Sequence, residues 1–285
     1  MLQVERILII GTGLIGSSIG MGLKQAGFRG QIVGAGGRQG AVGRALAAGA
    51  IDRVAADLTV ELRGCQLAVI SVPLSGFETI FRQVAHGDHD DLIITDVGST
   101  KLSVLEAARK WLPGPQRFVG GHPMAGSEQQ GPEAARCDLF VGKPCILTPE
   151  SDTDSSALRL TESLWKMLGM SVIQMSAREH DKQTAIISHL PHAVAVLLVQ
   201  VVSAAGGWDI ASTGFCDTTR LASSNPPMRA DIMMANRSQI LKALDAFGVQ
   251  LDVVREVLEK EDESALVDLL QRSKEARDQW IKNRS

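Results

Sequence analysis

A glycine-rich turn between a strand pattern and a helix pattern constrains the fold of this chain most strongly. The run RILII at Arg6–Ile10 is apolar throughout, as in a strand covered on both faces, and GTGLIG follows it directly. Residues 14–26 then have a helical pattern that ends before Gly27. Such a turn brings backbone N–H groups and a helix N-terminus to a pyrophosphate, so a dinucleotide site is predicted. Its residues are Gly11, Thr12, Gly13, Leu14, Ile15 and Gly16.

The remaining pattern predicts two domains of different class, in line with a length of 285 residues. Short β-branched runs alternate with helical patterns up to residue 175, whereas residues 180–205, 227–248 and 251–283 have helical patterns alone. Strands are predicted at 31–34, 67–72, 92–95, 118–119, 145–147 and 172–175, and helices at 41–48, 75–85, 101–111 and 155–168. We expect a Rossmann-type, doubly wound and mostly parallel α/β sheet over residues 1–175, followed by an all-α domain over 176–285.

Composition narrows the class of partner. The net charge of −3, from 29 basic and 32 acidic residues, gives no strong field toward nucleic acid or an anionic membrane. The four cysteines have no metal-ligand spacing, and a signal peptide is not expected from the residues before the first strand. The apolar stretch at 193–205 contains Gln200 and Ser203 and falls short of the roughly 18 residues of a membrane span. A cytoplasmic protein without metal, nucleic acid or membrane is expected.

The segment after the second predicted strand bears on which nicotinamide cofactor is used. An acid about 20 residues beyond the glycines would bind the ribose 2′-hydroxyl of NAD. Here GAGGR occupies residues 34–38, and no acid follows until Asp52. Arg38, helped by Arg44, could pair with a 2′-phosphate, so NADP is favoured and NAD stays possible. The alternative is that Arg38 is a solvated loop residue. Ser71 and Pro73, at a strand end, either line the nicotinamide ribose or form a structural turn.

Two further strand ends carry polar groups at the same sheet edge. DVGSTK occupies residues 96–101, and His122 lies between glycines and Pro123, just after the strand at 118–119. Oxidation of an alcohol requires a group that accepts the hydroxyl proton, and an imidazole titrates in the right range. The sequence therefore predicts His122 as a proton acceptor.

The helical part contains two more polar clusters. His189 and His192 are three residues apart and can share a helix face, so one is expected beside a cleft and the other in the core. Further metal ligands at suitable spacing are not evident. Arg220 follows small polar residues near a helix start, which suits carboxylate binding, or it pairs with Asp217.

Five motifs, in this order and spacing, resemble the prephenate/arogenate dehydrogenases of tyrosine biosynthesis. They are GTGLIG at 11–16, DVGSTK at 96–101, GGHPMAG at 120–126, SHLPH at 188–192 and GFCDTTRLASSNP at 214–226. The resemblance covers nearly the whole chain, and the last four motifs are far more specific than the glycine loop. One departure is Cys216, where many members have a basic residue.

The resemblance implies NAD(P)-dependent oxidative decarboxylation of prephenate, of arogenate or of both. It also implies a helical dimerisation domain, a homodimer and an active site in the cleft between the domains. His122 would accept the proton of the ring hydroxyl, and Ser99 would orient that hydroxyl. Arg220 would bind a carboxylate, His189 would lie beside the substrate, and Glu128 matches an acid that gates the cleft in some members.

Two alternatives remain at the level of sequence. A β-hydroxyacid dehydrogenase or imine reductase also joins such a sheet to helices, but it would need a catalytic lysine on the long helix. Lys182 lies between Asp181 and Gln183, outside any asparagine-bearing motif. A non-catalytic NADP-binding sensor would not need His122, Ser99 and Arg220 together. The sequence does not distinguish prephenate from arogenate.

Overall fold

The computed structural model describes residues 2, 4–36, 40–87, 89, 91–127 and 129–283. The backbone groups into two compact units, residues 1–237 and 238–285. The first unit contains the whole sheet and every helix up to Ala235. The predicted domain border at residue 175 lies within this unit and stays a prediction.

Eight strands form one sheet in the order β3-β2-β1-β4-β5-β6-β7-β8. Neighbours are parallel except for β6 and β7, which are antiparallel. This confirms the doubly wound, mostly parallel α/β sheet. The strands are β1 Arg6–Ile10, β2 Gln31–Ala35, β3 Arg53–Val54, β4 Leu67–Ile70, β5 Ile93–Asp96, β6 Phe118–Pro123, β7 Pro144–Thr148 and β8 Ser171–Gln174.

Helices cover both faces of the sheet, and each face has its own apolar core. On one face Ile7 and Ile9 of β1 pack with Trp165, and on the other Leu8 and Ile10 pack with Phe81. The helices of this part are α1 Leu14–Gln25, α2 Ala41–Ala47, α3 Leu58–Leu62, α4 Phe77–Ala85, α5 Leu102–Trp111 and α6 Ser155–Met167. Sequence patterns missed β3 and α3, which are too short to show a period.

Strand β6 is longer than predicted, and this changes the setting of His122. Its parallel pairing with β5 ends at Val119, but antiparallel pairing with β7 continues from Gly120 to Pro123. His122 is therefore in register with Ile146 on a strand, not on a loop after one. The strand therefore does not end at residue 119, as the sequence pattern predicted. A second strand partner on the other side keeps the backbone extended.

The helical part also differs from its pattern in detail. A continuous helical run covers Ala177–Ala205, made of α7 Ala177–Thr184, a π-helical segment Ala185–His189 and α8 Leu190–Ala205. The remaining helices are α9 Thr213–Thr219, α10 Pro226–Ala235, α11 Arg237–Glu259 and α12 Glu263–Lys282. The predicted break after Gly248 is absent, and α11 continues through this residue. A single glycine destabilises a helix by only about 1 kcal/mol, which is too little to end it here. The turn comes instead at Glu261, whose φ is 53°.

The run Ala177–Ala205 is longer than the apolar stretch at 193–205 suggested. By length and composition it could cross a membrane, with a mean hydropathy of 1.9 over its most apolar 18 residues, of which 28% are buried. The same run carries buried histidines at positions 180, 189 and 192. The expected absence of a membrane partner stays a prediction.

Candidate active site

The glycine loop between β1 and α1 has the geometry of a phosphate cradle. Gly11 has a φ of 98°, and a Cβ there would lie 2.3 Å from the carbonyl oxygen of Ser71. A Cβ at Gly16 would lie 2.0 Å from the carbonyl oxygen of Gly11, so both glycines are required by packing. A Cβ at Gly13 would meet nothing within 4 Å. Space is therefore open beside the second glycine alone, as close approach of a pyrophosphate requires.

The start of α1 is free to bind an anion. Its N-cap is Gly13, and no side chain of the described residues caps its first N–H groups. The Thr12 hydroxyl is buried and has no hydrogen-bond partner among the described residues. Leu14 and Ile15 open the helix itself. Together, the open space, the uncapped helix and the unpartnered hydroxyl fit the phosphates of a dinucleotide.

Three charged residues bear on the choice between NAD and NADP. Arg38 lies outside the described residues, so its predicted contact with a 2′-phosphate stays a prediction. Arg44 forms an exposed ion pair with Glu133. Asp52, the first acid after the glycines, pairs with Lys24 at 2.6 Å and accepts a 2.7 Å hydrogen bond from the Ile32 amide. Asp52 is therefore engaged in holding β2.

Ser71 and Pro73 follow β4 at the same sheet edge as the glycine loop. The Ser71 amide donates to Ile10 at 2.7 Å, so this segment continues alongside β1. Two residues beyond Pro73, Ser75 donates a 2.7 Å hydrogen bond to Asp231 of α10. The loop after β4 is thereby joined to the helix that follows Asn225.

A buried ion pair holds β6 in place next to His122. Asp96 ends β5, and its carboxylate pairs with Lys101 and accepts from the amides of Gly98 at 2.7 Å and Gly121 at 2.9 Å. The Lys101 ammonium also donates to the Gly121 carbonyl at 2.6 Å. Burial raises the pKa of Asp96 and lowers that of Lys101, and their mutual attraction opposes both shifts. The carboxylate thus binds the amide of Gly121 and the ammonium binds its carbonyl, which fixes the backbone directly before His122.

A chain of hydrogen bonds leads from His122 to the start of α5. His122 Nδ1 lies 2.7 Å from His180 Nε2, and His180 Nδ1 lies 2.8 Å from Asp181 Oδ1. The Asp181 carboxylate accepts from the backbone amides of Lys101 at 2.8 Å and Leu102 at 3.0 Å. All three side chains lie in the first compact unit.

This chain determines which nitrogen of His122 carries a proton. A carboxylate that accepts two amide hydrogen bonds is an acceptor, so His180 Nδ1 donates to Asp181. Burial lowers the pKa of His180, which keeps the ring neutral and leaves a lone pair on its Nε2. His122 must then donate from Nδ1. Its Nε2 is left unprotonated and able to accept a proton.

The charge state of His122 supports the same role. Burial lowers the pKa of His122 well below 6.5, and the positive charge of Lys101 lowers it further. At neutral pH the ring is therefore uncharged.

The π-helical segment Ala185–His189 places His189 in a second hydrogen-bonded position. The Asn236 amide nitrogen donates to the Asp181 carbonyl at 2.7 Å and lies 3.2 Å from His189 Nδ1. His189 Nδ1 is thus an acceptor, and its proton is on Nε2, ready to donate. Burial lowers the pKa of His189 to about 4, so the ring is neutral.

His192 is the member of the pair that is satisfied internally. Its Nδ1 donates to the Ser188 carbonyl at 2.8 Å, one helical turn away, and its Nε2 lies 3.4 Å from the Ser224 hydroxyl. The prediction was that one of the two histidines lies beside a cleft and the other in the core. It stays a prediction, and the hydrogen-bond partners of the two rings favour His189 beside the cleft and His192 in the core.

The other predicted residues are less constrained. Arg220 is exposed and opens a short 3₁₀ turn, and among the described residues it forms no ion pair with Asp217. Ser224, directly after this turn, lies 3.4 Å from His192 Nε2, and the charge of Arg220 lowers the pKa of that ring. Ser99 is half-buried on the loop between β5 and α5. Glu128 lies outside the described residues.

Sequence patterns missed three residues of this network, namely His180, Asp181 and Asn236. His180 and Asp181 adjoin the polar start of a helix, and Asn236 caps the end of α10. The available signal was a histidine and an acid side by side at positions that prove fully buried. The burial of His180 and Asp181 could not be predicted from sequence, because most residues around them in this helix are polar.

Comparisons with known proteins agree over nearly all of the chain. A family model described as prephenate dehydrogenase, nucleotide-binding domain, matches residues 19–174, and one described as prephenate dehydrogenase, dimerization domain, matches residues 176–272. A prephenate dehydrogenase of Bacillus subtilis is 36% identical over 280 residues, which are 96% of this chain and 76% of that protein. A cyclohexadienyl dehydrogenase of Zymomonas mobilis is 33% identical and covers 96% of this chain and 95% of its own.

A solved structure is similar over the same length. It is the crystal structure of prephenate dehydrogenase from A. aeolicus in complex with hydroxyphenyl propionate and NAD+. Its sequence is 32% identical, the TM-score is 0.91, and the match covers 98% of this chain and 99% of that one.

Proposed function

The chain belongs to the prephenate dehydrogenase family, and we propose on that basis how its own residues carry out the oxidative decarboxylation of prephenate. The observation that carries the proposal is the hydrogen-bonded chain from His122 through His180 to Asp181. It leaves His122 Nε2 as a neutral acceptor at the sheet edge where the glycine loop lies. A sensor without catalysis would have no use for such a nitrogen.

His122 removes and returns one proton. The substrate ring has a hydroxyl on one carbon and a carboxylate on the opposite carbon. When bound, an oxidised nicotinamide supplies the acceptor for the hydride that leaves the hydroxyl-bearing carbon. His122 Nε2 accepts the hydroxyl proton as that C–H bond breaks. Loss of the carboxylate as CO2 makes the ring aromatic, and His122 returns the proton to the ring oxygen. The product is a phenol, and the aromatic ring makes the reaction effectively irreversible.

Other residues bind and orient the substrate. Arg220 pairs with a substrate carboxylate, and His189 donates from Nε2 beside it. Ser99, on the loop after β5, orients the hydroxyl toward His122. His180 and Asp181 do not touch the substrate in this scheme; they position His122 and fix its tautomer. Glu128 gates the cleft, as the family resemblance implies.

The cofactor is held by the loop from Gly11 to Gly16, whose open space and uncapped helix fit two phosphates. Ser71 and Pro73 line the nicotinamide ribose. We propose that NADP is preferred and NAD also accepted. The support is that Asp52, the first acid after the loop, is engaged with Lys24 and Ile32 and is not free to bind a 2′-hydroxyl. Arg38 then pairs with the 2′-phosphate.

The molecule is proposed to act as a cytoplasmic homodimer. The matched dimerization-domain model begins at residue 176, and the helical run Ala177–Ala205 has exposed apolar side chains, among them Ile187, Leu197 and Val201. Such a face is typical of an interface between subunits.

Steady-state kinetics of the purified protein tests these proposals. Prephenate and arogenate, with a β-hydroxyacid as the third substrate, are each assayed with NADP and with NAD by the absorbance of the reduced nicotinamide. Turnover of a cyclohexadienyl acid and a higher kcat/KM with NADP are expected. Turnover of the hydroxyacid alone would contradict the function, and a preference for NAD would contradict the role of Arg38.

A further inference from the structure

Arg229 on α10 has an unexplained guanidinium. Its side chain is half-buried, and its Nε is fully buried without a hydrogen-bond partner among the described residues. No ion pair involves Arg229 in the part of the chain that the structure describes. Burial lowers the pKa of Arg229, and no described carboxylate opposes that shift. A buried donor without a partner costs free energy, so a group of this kind needs a ligand or another explanation.

The position of Arg229 on α10 directs it toward the substrate side of the site. Asn236 lies seven residues further, two helical turns on, and residues at this spacing share a helix face. Asn236 contacts His189 Nδ1 at 3.2 Å, so this face of α10 meets the His189 region. In agreement, the charge of Arg229 lowers the pKa of both His189 and His192. Asp231 fixes the helix to the loop after β4 through Ser75.

Two arginines, and no carboxylate among the described residues, therefore act on His192. Arg220 and Arg229 both act on the pKa of His192. Neither forms an ion pair with a described carboxylate. Two acids of the neighbouring segments are otherwise engaged, because Asp231 accepts from Ser75 and Asp181 accepts from the start of α5. Two guanidinium groups without a protein counter-charge make a site for two anionic groups of a ligand.

We propose that Arg229 is a second substrate-binding arginine, and that Arg220 and Arg229 together select prephenate over arogenate. This inference rests on the proposed function and extends it to the choice of substrate. Both substrates have two carboxylates, both at the end of the ring opposite the hydroxyl. In prephenate the side chain beside one carboxylate has a neutral keto group. In arogenate it has an ammonium group, which two unpaired arginines repel.

The test compares the two substrates in wild type, Arg229→Gln and Arg229→Lys. In wild type we expect kcat/KM for prephenate to exceed that for arogenate. Arg229→Gln should raise KM for prephenate about tenfold or more with a smaller change in kcat, and should affect arogenate less, so that the ratio of the two kcat/KM values falls at least about fivefold. Arg229→Lys keeps the charge and should recover part of the ratio. Equal losses for both substrates, or an unchanged ratio, would overturn the inference.

A binding measurement separates this inference from the proposed function and from misfolding. Isothermal calorimetry gives the Kd of each variant for prephenate and for arogenate. Arg159→Gln is the matched control, because Arg159 is exposed on α6 and the change in charge is the same. If wild type turns over neither substrate, the proposed function fails. The Kd values for prephenate and arogenate then still test whether Arg229 binds prephenate selectively. Selective weakening of prephenate in Arg229→Gln supports the inference; Kd values like those of Arg159→Gln overturn it.

Discussion

At the scale of single residues, a carboxylate held by the backbone decides which nitrogen of His122 can accept a proton. Asp181 accepts from the amides of Lys101 and Leu102, and this fixes the proton of His180 on Nδ1. His180 then accepts from His122, and the Nε2 of His122 remains free. A neutral histidine with a free nitrogen of this kind is a general base for an alcohol proton.

The first prediction concerns His180 as a positioning residue. In His180→Leu the acceptor for His122 Nδ1 is lost, so His122 can take either tautomer, and kcat should fall by about tenfold or more. The neutral His180 ring also stabilises protonated His122 by accepting from its Nδ1, so its loss should lower the pKa of His122 and shift the acid limb of the kcat/KM profile to lower pH. In wild type that limb should lie below pH 6.5, because burial lowers the pKa of His122 and the base must be unprotonated.

Two variants serve as controls for this prediction. His180→Gln keeps an oxygen that can accept from His122 and should recover part of kcat. His86→Leu removes an exposed histidine from the end of α4 and should leave the profile unchanged. A lower kcat in His180→Leu with an unmoved acid limb would show that His180 has a structural role alone.

Single residues differed in how well the sequence could predict them. His122 was singled out because glycines and a proline around a histidine are unusual in a core. His180, Asp181 and Asn236 gave no such signal, since a helix brings them to the site only through packing with α5 and with the π-helical segment. Arg229 was missed for the same reason, because its unpartnered nitrogen is a property of the folded chain.

At the scale of elements, two departures from regular structure place the site. Strand β6 changes partner at Gly120, so His122 lies on a rigid antiparallel pair with β7. The helical run Ala177–Ala205 contains the π-helical segment at Ala185–His189, next to Pro191. Proline lacks an N–H and its ring clashes with the carbonyl four residues earlier, so a wider turn accommodates it. His189 lies at the end of that turn.

The second prediction uses two glycines of the loop that opens α1. In Gly16→Ala the new Cβ would lie 2.0 Å from the Gly11 carbonyl oxygen, so α1 must move away from β1. We expect a loss of several degrees in Tm together with weaker cofactor binding. In Gly13→Ala the Cβ enters open space, so Tm should stay close to that of wild type while the Kd for NADP rises about tenfold or more.

Differential scanning calorimetry and fluorescence titration with NADP measure the two effects. Each variant is the control for the other, since both add one methyl group to the same loop. Equal Tm values for the two variants would contradict the packing role of Gly16. Unchanged cofactor affinity in Gly13→Ala would contradict the assignment of the open space to phosphates.

Element types were predictable where a period was long enough to show. The alternation of apolar runs and helical patterns predicted β1 and six further strands of the sheet. It missed β3, because a strand of two residues shows no period. The continuation of β6 to Pro123 depends on pairing with β7, which is 21 residues further along the chain. Local sequence does not encode such a partner.

At the scale of the whole molecule, the exposed apolar side chains of the helical run Ala177–Ala205 need a covering surface. Leu197 and Val201 are 53% and 64% exposed and lie one turn apart on α8. A contiguous apolar face of this kind on a protein in water marks an interface. A second copy of the chain is the proposed cover, in line with the matched dimerization-domain model.

The third prediction is that Val201→Asp dissociates this homodimer. A carboxylate in an apolar interface loses its hydration without gaining a partner, so the dimer Kd should rise by about a hundredfold or more. Sedimentation equilibrium should give twice the chain mass for wild type and the single mass for the variant. Val60→Asp makes the same change at an exposed valine of α3 and should leave the mass unchanged. A monomeric wild type, or a dimeric Val201→Asp, would contradict the proposal.

The class of fold and the family were accessible from sequence because five motifs are spread over the whole chain. The proposed choice of NADP rests on Arg38, which lies outside the described residues. The proposed choice of prephenate over arogenate rests on charges from helices that meet only in the folded chain. These are the parts that motifs do not determine.

The role of His122 as proton acceptor is tested most directly by the turnover of prephenate in wild type and His122→Asn. Asparagine can keep a hydrogen bond to His180 but has no basic nitrogen. We predict that kcat falls by at least about a hundredfold while the Kd for NADP, measured by fluorescence titration, changes less than about threefold. A kcat within a few fold of wild type, with the cofactor bound normally, would contradict the assignment.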